Sequence, residues 1–470
     1  MLRALTSTFL LASAFVFMAD LNPRGGEVQR PAVFYRLTYS SPGSTTVHVR
    51  IELAAAPAAR SLLIPRAVPM GYGDEPYDQF VARVAAFDSA GKPIEVVRGE
   101  GPRWRVGPAA RVEYDVDLAG MEQRIHDATD SSRVRPGYAA FPGYSVFGLF
   151  EGEEERSIEL QIEAPKGWPV VSTLAPAGGP LRADNFYALA DSQIAMGPAL
   201  RLERVQIAPA TTPPLYLVLY AETETDPARL ARLAGDAMTK MITYFGSAPF
   251  AHYTVMLEML KPVSPAHEYG FGMEHLDSFH STLDARGESM SDLGLEYHLA
   301  HHMAHAWIPK RCYGEGYFPF RWDAAPKIDT IWFSEGFAQY AAIAALAASE
   351  EQRRQMLERR FRSLLKEASP ELRRLPLREL SLAASTQYAS DFRIGKLTFA
   401  RGGLMAAEMD DRIRAETHGE KSLRDALRHL VAWSAANHRA FRIEELPVRF
   451  REATGVETRD ILERWLAPLE

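Results

Sequence analysis

The sequence predicts an α+β multidomain protein, with an N-terminal antiparallel β domain, an α+β middle domain and a C-terminal α-helical domain. Three observations carry this reading. From Ala32 to about Ala210 apolar residues recur with a period of two, and Pro and Gly punctuate the runs. After Ala341 the apolar spacing becomes helical, with charged outer faces. Between these regions a strand–helix–strand pattern leads into the histidine-rich stretch from Glu296 to Tyr340.

A length of 470 residues permits two to four domains and a large core. The apolar share of 47% and charged share of 24% are ordinary for a soluble protein. A net charge of −7 gives no reason to expect nucleic acid and disfavours general adhesion to an anionic membrane. The single cysteine, Cys312, excludes an internal disulfide and reads as a small packed residue. Arg3 followed by the uncharged residues 4–19 reads as a signal peptide over 1–19, ending after Ala14 or Ala19, or as an uncleaved anchor. The expected location is therefore secreted or periplasmic. No later run is long and apolar enough to span a bilayer.

Residues 20–210 form the expected β domain. The runs 33–40, 45–53, 111–118 and 157–165 alternate like half-buried strands. Residues 211–345 form the middle domain. There the strand 214–224 is followed by Asp226-Pro227, an N-cap and a proline at the first helical position. That helix runs to about Tyr244 and stops at Gly246, before a second strand at 252–260. Residues 346–470 form the helical domain, with helices at 349–368, 422–435 and 458–468. Gly419 and Gly455 fall where glycines close helices.

Seven of the thirteen histidines lie between His267 and His305. Four of them, His267, His275, His280 and His298, read as solvated or core residues. His301 and His305 differ, because four-residue spacing on a helix places both imidazoles on one face. Two nitrogens so placed can bind one Zn²⁺, and a second helix must then bring a carboxylate. Glu335, in the apolar run IWFSEGFAQYAA with 29 residues between it and His305, answers that need.

The residues His301, His305, Trp307, Lys310, Arg311, Trp332, Glu335 and Gly336 resemble the pattern of the glycyl aminopeptidase family of gluzincin zinc metallopeptidases. Weaker matches run through residues 62–96, 103–106 and 191–197 in the family's order. The resemblance implies a thermolysin-like middle domain and one zinc ion held by His301, His305 and Glu335. YGFGMEHLDSFHSTL, residues 269–283, is similar to the family's substrate edge strand. Gly272, Met273 and Glu274 would then bind substrate, with Glu274 holding the free α-amine of a peptide or protein N-terminus. The expectation is a family member without the PDZ domain usual after the helical region.

Two positions depart from the family pattern. Where it has H-E-x-x-H this chain reads HHMAH, so His302 takes the general-base position. In LTFARGGL, the place of the tyrosine that donates to the oxyanion is Phe399. Tyr388 is an upstream alternative for that hydroxyl. Losing a positioned base typically costs about 10²–10⁴-fold in rate, and losing an oxyanion donor about 10²–10³-fold. The expectation is a zinc-binding, catalytically impaired homologue (a pseudoenzyme) that holds peptide in its cleft. The alternatives are an active zinc aminopeptidase using His302 or another group as base, and a structural module of a secreted assembly.

Overall fold

The computed structural model describes residues 33–53, 61–207, 212–267, 269–286, 290–387 and 392–469. The expected signal segment and Tyr388 lie outside the described residues. The alternating runs form strands with the predicted two-faced burial. Val33–Thr38 and Thr46–Leu53 bury every second residue. They sit inside a seven-stranded sheet ordered Leu181–Ala183, Ile158–Glu163, Val33–Thr38, Thr46–Leu53, Arg111–Asp117, Val81–Phe87, Pro93–Ile94. Its neighbours are antiparallel except Val33–Thr38 and Ile158–Glu163, which run parallel. Two four-stranded antiparallel sheets complete the domain. Val47, Val49, Ile51, Tyr114 and Phe147 lie in its core.

The middle sheet has five strands, ordered Arg201–Val205, Leu215–Ala221, Tyr253–Leu260, Ser278–Asp284, Phe271–Glu274. The central three are parallel and the two edges antiparallel. Tyr253–Leu260 is buried almost throughout, as a parallel strand covered on both faces must be. The connecting helix is Pro227–Phe245. Asp226 caps its start by accepting from the Arg229 amide at 3.1 Å, and Gly246 ends it at φ 76°.

Two further helices matter most. The histidine helix, Asp292–Ala304, starts at Ser291, which accepts from the Gly294 amide at 3.1 Å. The glutamate helix, Ile331–Leu346, is buried nearly all round, which explains its unbroken apolar sequence. It crosses the long helix Phe392–Glu416 at backbone contact. A Cβ on Gly402 would lie 2.0 Å from the Trp332 carbonyl oxygen, and one on Gly336 2.4 Å from the Gly402 carbonyl carbon. The predicted helix at 349–368 is Glu350–Leu357 and Ser363–Glu367 joined by a π turn, Glu358–Arg362. Phe361 in that turn is fully buried against Gly403.

The β domain meets the middle sheet along a seam of mixed character. Tyr138 and Ala195 pack there with Tyr220 and Met256. The Tyr138 and Tyr220 rings stack at 3.8 Å. Arg133 and Glu258 pair at 2.9 Å with both side chains fully buried, and the Tyr138 hydroxyl donates to Glu258 Oε1 at 2.7 Å. Close by, Glu75 is pushed up to about 7 by burial and by the charges of Asp127 and Asp74.

Gly402→Ala should cost about 1–3 kcal/mol in urea unfolding, because the added methyl forces two helix backbones apart. An unchanged midpoint would refute the close crossing. Glu75 gives a pH prediction. A carboxyl raised in the native state stabilises at low pH, and that contribution is lost as pH rises from the ordinary carboxylate range through about 7. Glu75→Gln, which mimics the neutral acid, should therefore gain on wild type in urea midpoint across that window. Parallel pH curves for the two proteins would contradict the raised value.

Candidate metal centre

The structure brings His301, His305 and Glu335 to one point. His301 Nε2 and His305 Nε2 are 3.0 Å apart. Glu335 Oε2 lies 3.3 Å from His301 Nε2 and 3.7 Å from His305 Nε2. Three ligands about 2.0–2.2 Å from a tetrahedral zinc ion sit roughly 3.3 Å from one another, so this donor set fits zinc. The His305 Nδ1 faces the Ile308 carbonyl at 2.8 Å. An N–H donated there fixes the tautomer and leaves the Nε2 lone pair facing the other two groups. Burial, then the neighbouring His305, pushes the His301 pKa well below its usual value. The neutral imidazole is the form that binds metal.

The family-matched residues around His301, His305 and Glu335 have structural work. Trp307 is fully buried and stacks on Phe245 at 4.7 Å. The Lys310 ammonium donates to the Pro69 carbonyl at 2.8 Å, tying the centre to the β domain. Arg311 donates to the Leu276 carbonyl at 2.7 Å and to Asp277 at 2.6 Å, tying it to the turn that follows the edge strand. Gly336 is the residue that admits the crossing helix. Arg401 is fully buried and donates to the carbonyls of Leu375, Trp465 and Ala467, so it locks the chain's last helix in place.

His302 follows His301 on the helix and is turned toward the edge strand. Its ring stacks on Phe279 at 5.4 Å, and a Cβ on Gly272 would lie 2.6 Å from its Nε2. Its Nδ1 is buried with no hydrogen-bond partner among the described residues. One of its ring nitrogens lies within 4.8 Å of a nitrogen of His301 and of His305. Burial, then His298 and the other two histidines, holds its pKa well below the usual value. Phe399 is 7% exposed, one turn before the Gly402 crossing.

On the edge strand Phe271–Glu274, Gly272 pairs with Ser281 and Met273 with His280. Met273 packs against the β-domain core. The buried Glu274 reaches the centre, with a carboxylate oxygen within 4.8 Å of a His305 nitrogen and a Glu335 oxygen. The remaining clustered histidines have polar partners. His275 faces Asp191 at 3.0 Å and His280 at 3.3 Å, His298 faces Ser281 at 2.8 Å, and His267 faces the Glu122 carbonyl at 2.6 Å. One residue had no sequence signal. Tyr72 of the β domain donates its hydroxyl to Glu335 Oε1 at 3.2 Å across 263 residues.

The family model for the Peptidase M61 N-terminal domain matches residues 34–198, and that for M61 glycyl aminopeptidase matches residues 296–396. An aminopeptidase N family protein from Idiomarina loihiensis superposes with a TM-score of 0.79 at 19% identity, over 93% of this chain and 76% of that one. An M1 zinc metallopeptidase from Deinococcus radiodurans gives a TM-score of 0.55 at 15% identity, over 94% of both chains. A glutamate-to-alanine mutant of that M1 zinc metallopeptidase, bound to a Tyr-Ser-Ala substrate, gives 0.56 at 14% identity, again over 94% of both. At these identities the likeness is one of fold. No curated protein matches the sequence. The chain belongs to the M61 glycyl aminopeptidase family, with a multidomain fold like that of the aminopeptidase N family protein.

Proposed function

We propose that this protein is a zinc-binding, catalytically impaired metallopeptidase homologue that holds a peptide or protein N-terminus in its cleft. One observation carries the reading. The position that should present a carboxylate base holds His302, whose ring is wedged against Gly272 and stacked on Phe279. Phe399, with no hydroxyl to offer an oxyanion, supports it. His301, His305 and Glu335 would hold zinc, which when bound supplies Lewis-acid polarisation of a carbonyl and acidifies water. Glu274 would pair with the ammonium of the bound N-terminus, a charge-assisted contact strengthened by burial. Residues 271–274 would lie alongside the peptide, Gly272 and Met273 contributing the edge.

A second reading has one observation in its favour. Glu274 places a carboxylate within 4.8 Å of ligand atoms of His305 and Glu335, so the centre retains an acid that could act as base in an active zinc aminopeptidase. In both readings the protein works outside the cytoplasm, secreted or periplasmic, on the strength of Arg3 and the apolar residues after it. Among the described residues no helix is long and apolar enough to cross a membrane.

Zinc measured by mass spectrometry after dialysis should approach one ion per chain in wild type and fall sharply in His305→Ala. Equal, near-zero zinc in both would end the metal reading. Wild type should show little cleavage of aminoacyl substrates, and His302→Glu/Phe399→Tyr should exceed either single variant. Each restored group is capable of about 10²-fold or more. Robust chelator-sensitive turnover by wild type would select the second reading, and a fall in kcat at unchanged KM in Glu274→Gln, with His302→Ala still active, would name Glu274 the base rather than the amine anchor. Sequencing the mature N-terminus in the native host tests location, and an intact Met1 on a cytoplasmic protein would contradict it.

A further inference from the structure

Glu335 divides its two oxygens between two domains. Oε2 faces His301 and His305 at 3.3 and 3.7 Å. Oε1 accepts from the Tyr72 hydroxyl at 3.2 Å. Tyr72 also hydrogen-bonds Tyr317, whose hydroxyl meets Ser334 Oγ at 2.9 Å, one residue before Glu335. The carboxylate is therefore gripped through its side chain and through the adjacent turn of its helix.

The loop that carries Tyr72 is held at several points. Pro69 accepts from Lys310 at 2.8 Å, and the Gly73 amide donates to the Ser385 carbonyl at 2.8 Å. Between them Met70 adopts a left-handed backbone at φ 50°, a conformation costly for a non-glycine residue and one that surrounding structure must enforce. Its side chain is 2% exposed and packs in the core of the metal-centre domain, while Val68 packs in the β-domain core. The turn reaches across the seam and is locked there.

We propose that Tyr72 is a positioning residue of the metal centre, its hydroxyl holding Glu335 Oε1 so that Oε2 alone faces the two imidazoles. The β domain thereby sets the metal affinity of a site whose other parts all lie more than 200 residues downstream. This rests on reading His301, His305 and Glu335 as metal ligands. A carboxylate free to rotate or to swing away would meet the metal in several geometries, and an outer hydrogen bond selects one.

The test measures zinc affinity of the full chain by competition with a chromophoric chelator, for wild type, Tyr72→Phe and Tyr77→Phe. Tyr77 is the control, a nearby β-domain tyrosine whose hydroxyl donates to the Asp130 carbonyl at 2.7 Å. Tyr72→Phe should bind zinc about 10–100-fold more weakly, with its urea midpoint in chelator unchanged, while Tyr77→Phe binds as wild type does. Tyr317→Phe leaves Tyr72 on Glu335 but removes its second partner. It should weaken binding in the same direction by less, and it serves if Tyr72→Phe does not fold. Wild-type affinity in Tyr72→Phe, or equal losses in Tyr72→Phe and Tyr77→Phe, would overturn the positioning role and leave the ligand assignment standing. No zinc binding by wild type would overturn both.

Discussion

The structure depends on holding one buried carboxylate against two buried imidazoles. Glu335 is 5% exposed and His305 not at all. A charge taken from water is expensive unless it is paired or binds a cation. The protein meets that cost by convergence. The glutamate helix must come close enough to bring Oε2 within 3.7 Å of both nitrogens. It is pressed from behind by the long helix at Gly336 and Gly402, where any larger side chain would push the backbones apart. The small residue after the glutamate and the small residues of the distant helix are one feature seen from two sides.

The β domain is part of the same arrangement. Lys310 reaches from the end of the histidine helix to Pro69, and Tyr72 reaches back to Glu335. Below them the seam carries Asp191 against His275 and the fully buried pair Arg133 and Glu258. A buried pair contributes little net stability against an apolar alternative, but removing one partner is strongly destabilising. Such a seam discourages sliding, because every register but one strands a charge. That keeps the edge strand at a fixed distance from His301, His305 and Glu335.

Against this retained scaffold, the two departures are local. His302 fills space beside Gly272 and stacks on Phe279, so its neighbourhood is packed around a ring. Phe399 is buried on the long helix, two residues before Arg401, which anchors the helix Arg459–Leu466. His301, His305, Glu335 and Glu274 stand at positions that match the family pattern, while His302 and Phe399 depart from it. Holding a peptide needs an edge and an amine anchor, whereas turnover needs a base and an oxyanion donor as well.

Local periodicity determined much on its own. Strands 33–53 and 111–117, the capped helix from Pro227 and the histidine helix were legible because caps and apolar spacing are properties of short stretches. The meeting of His301, His305 and Glu335 was legible as well, since the two histidines are spaced to share a helix face and Glu335 stands in a helix too apolar to lie outside. Other features needed the tertiary structure. The parallel pairing of Val33–Thr38 with Ile158–Glu163 joins strands more than 100 residues apart, and no local pattern encodes such a pairing. The π turn at Glu358–Arg362 exists to bury Phe361 on Gly403. Tyr72 reads in sequence as a residue of a Pro–Gly turn, and only the closing of the β domain over the centre sets its hydroxyl on Glu335. Hydrogen bonds across 263 residues arise from packing, which a one-dimensional pattern does not record.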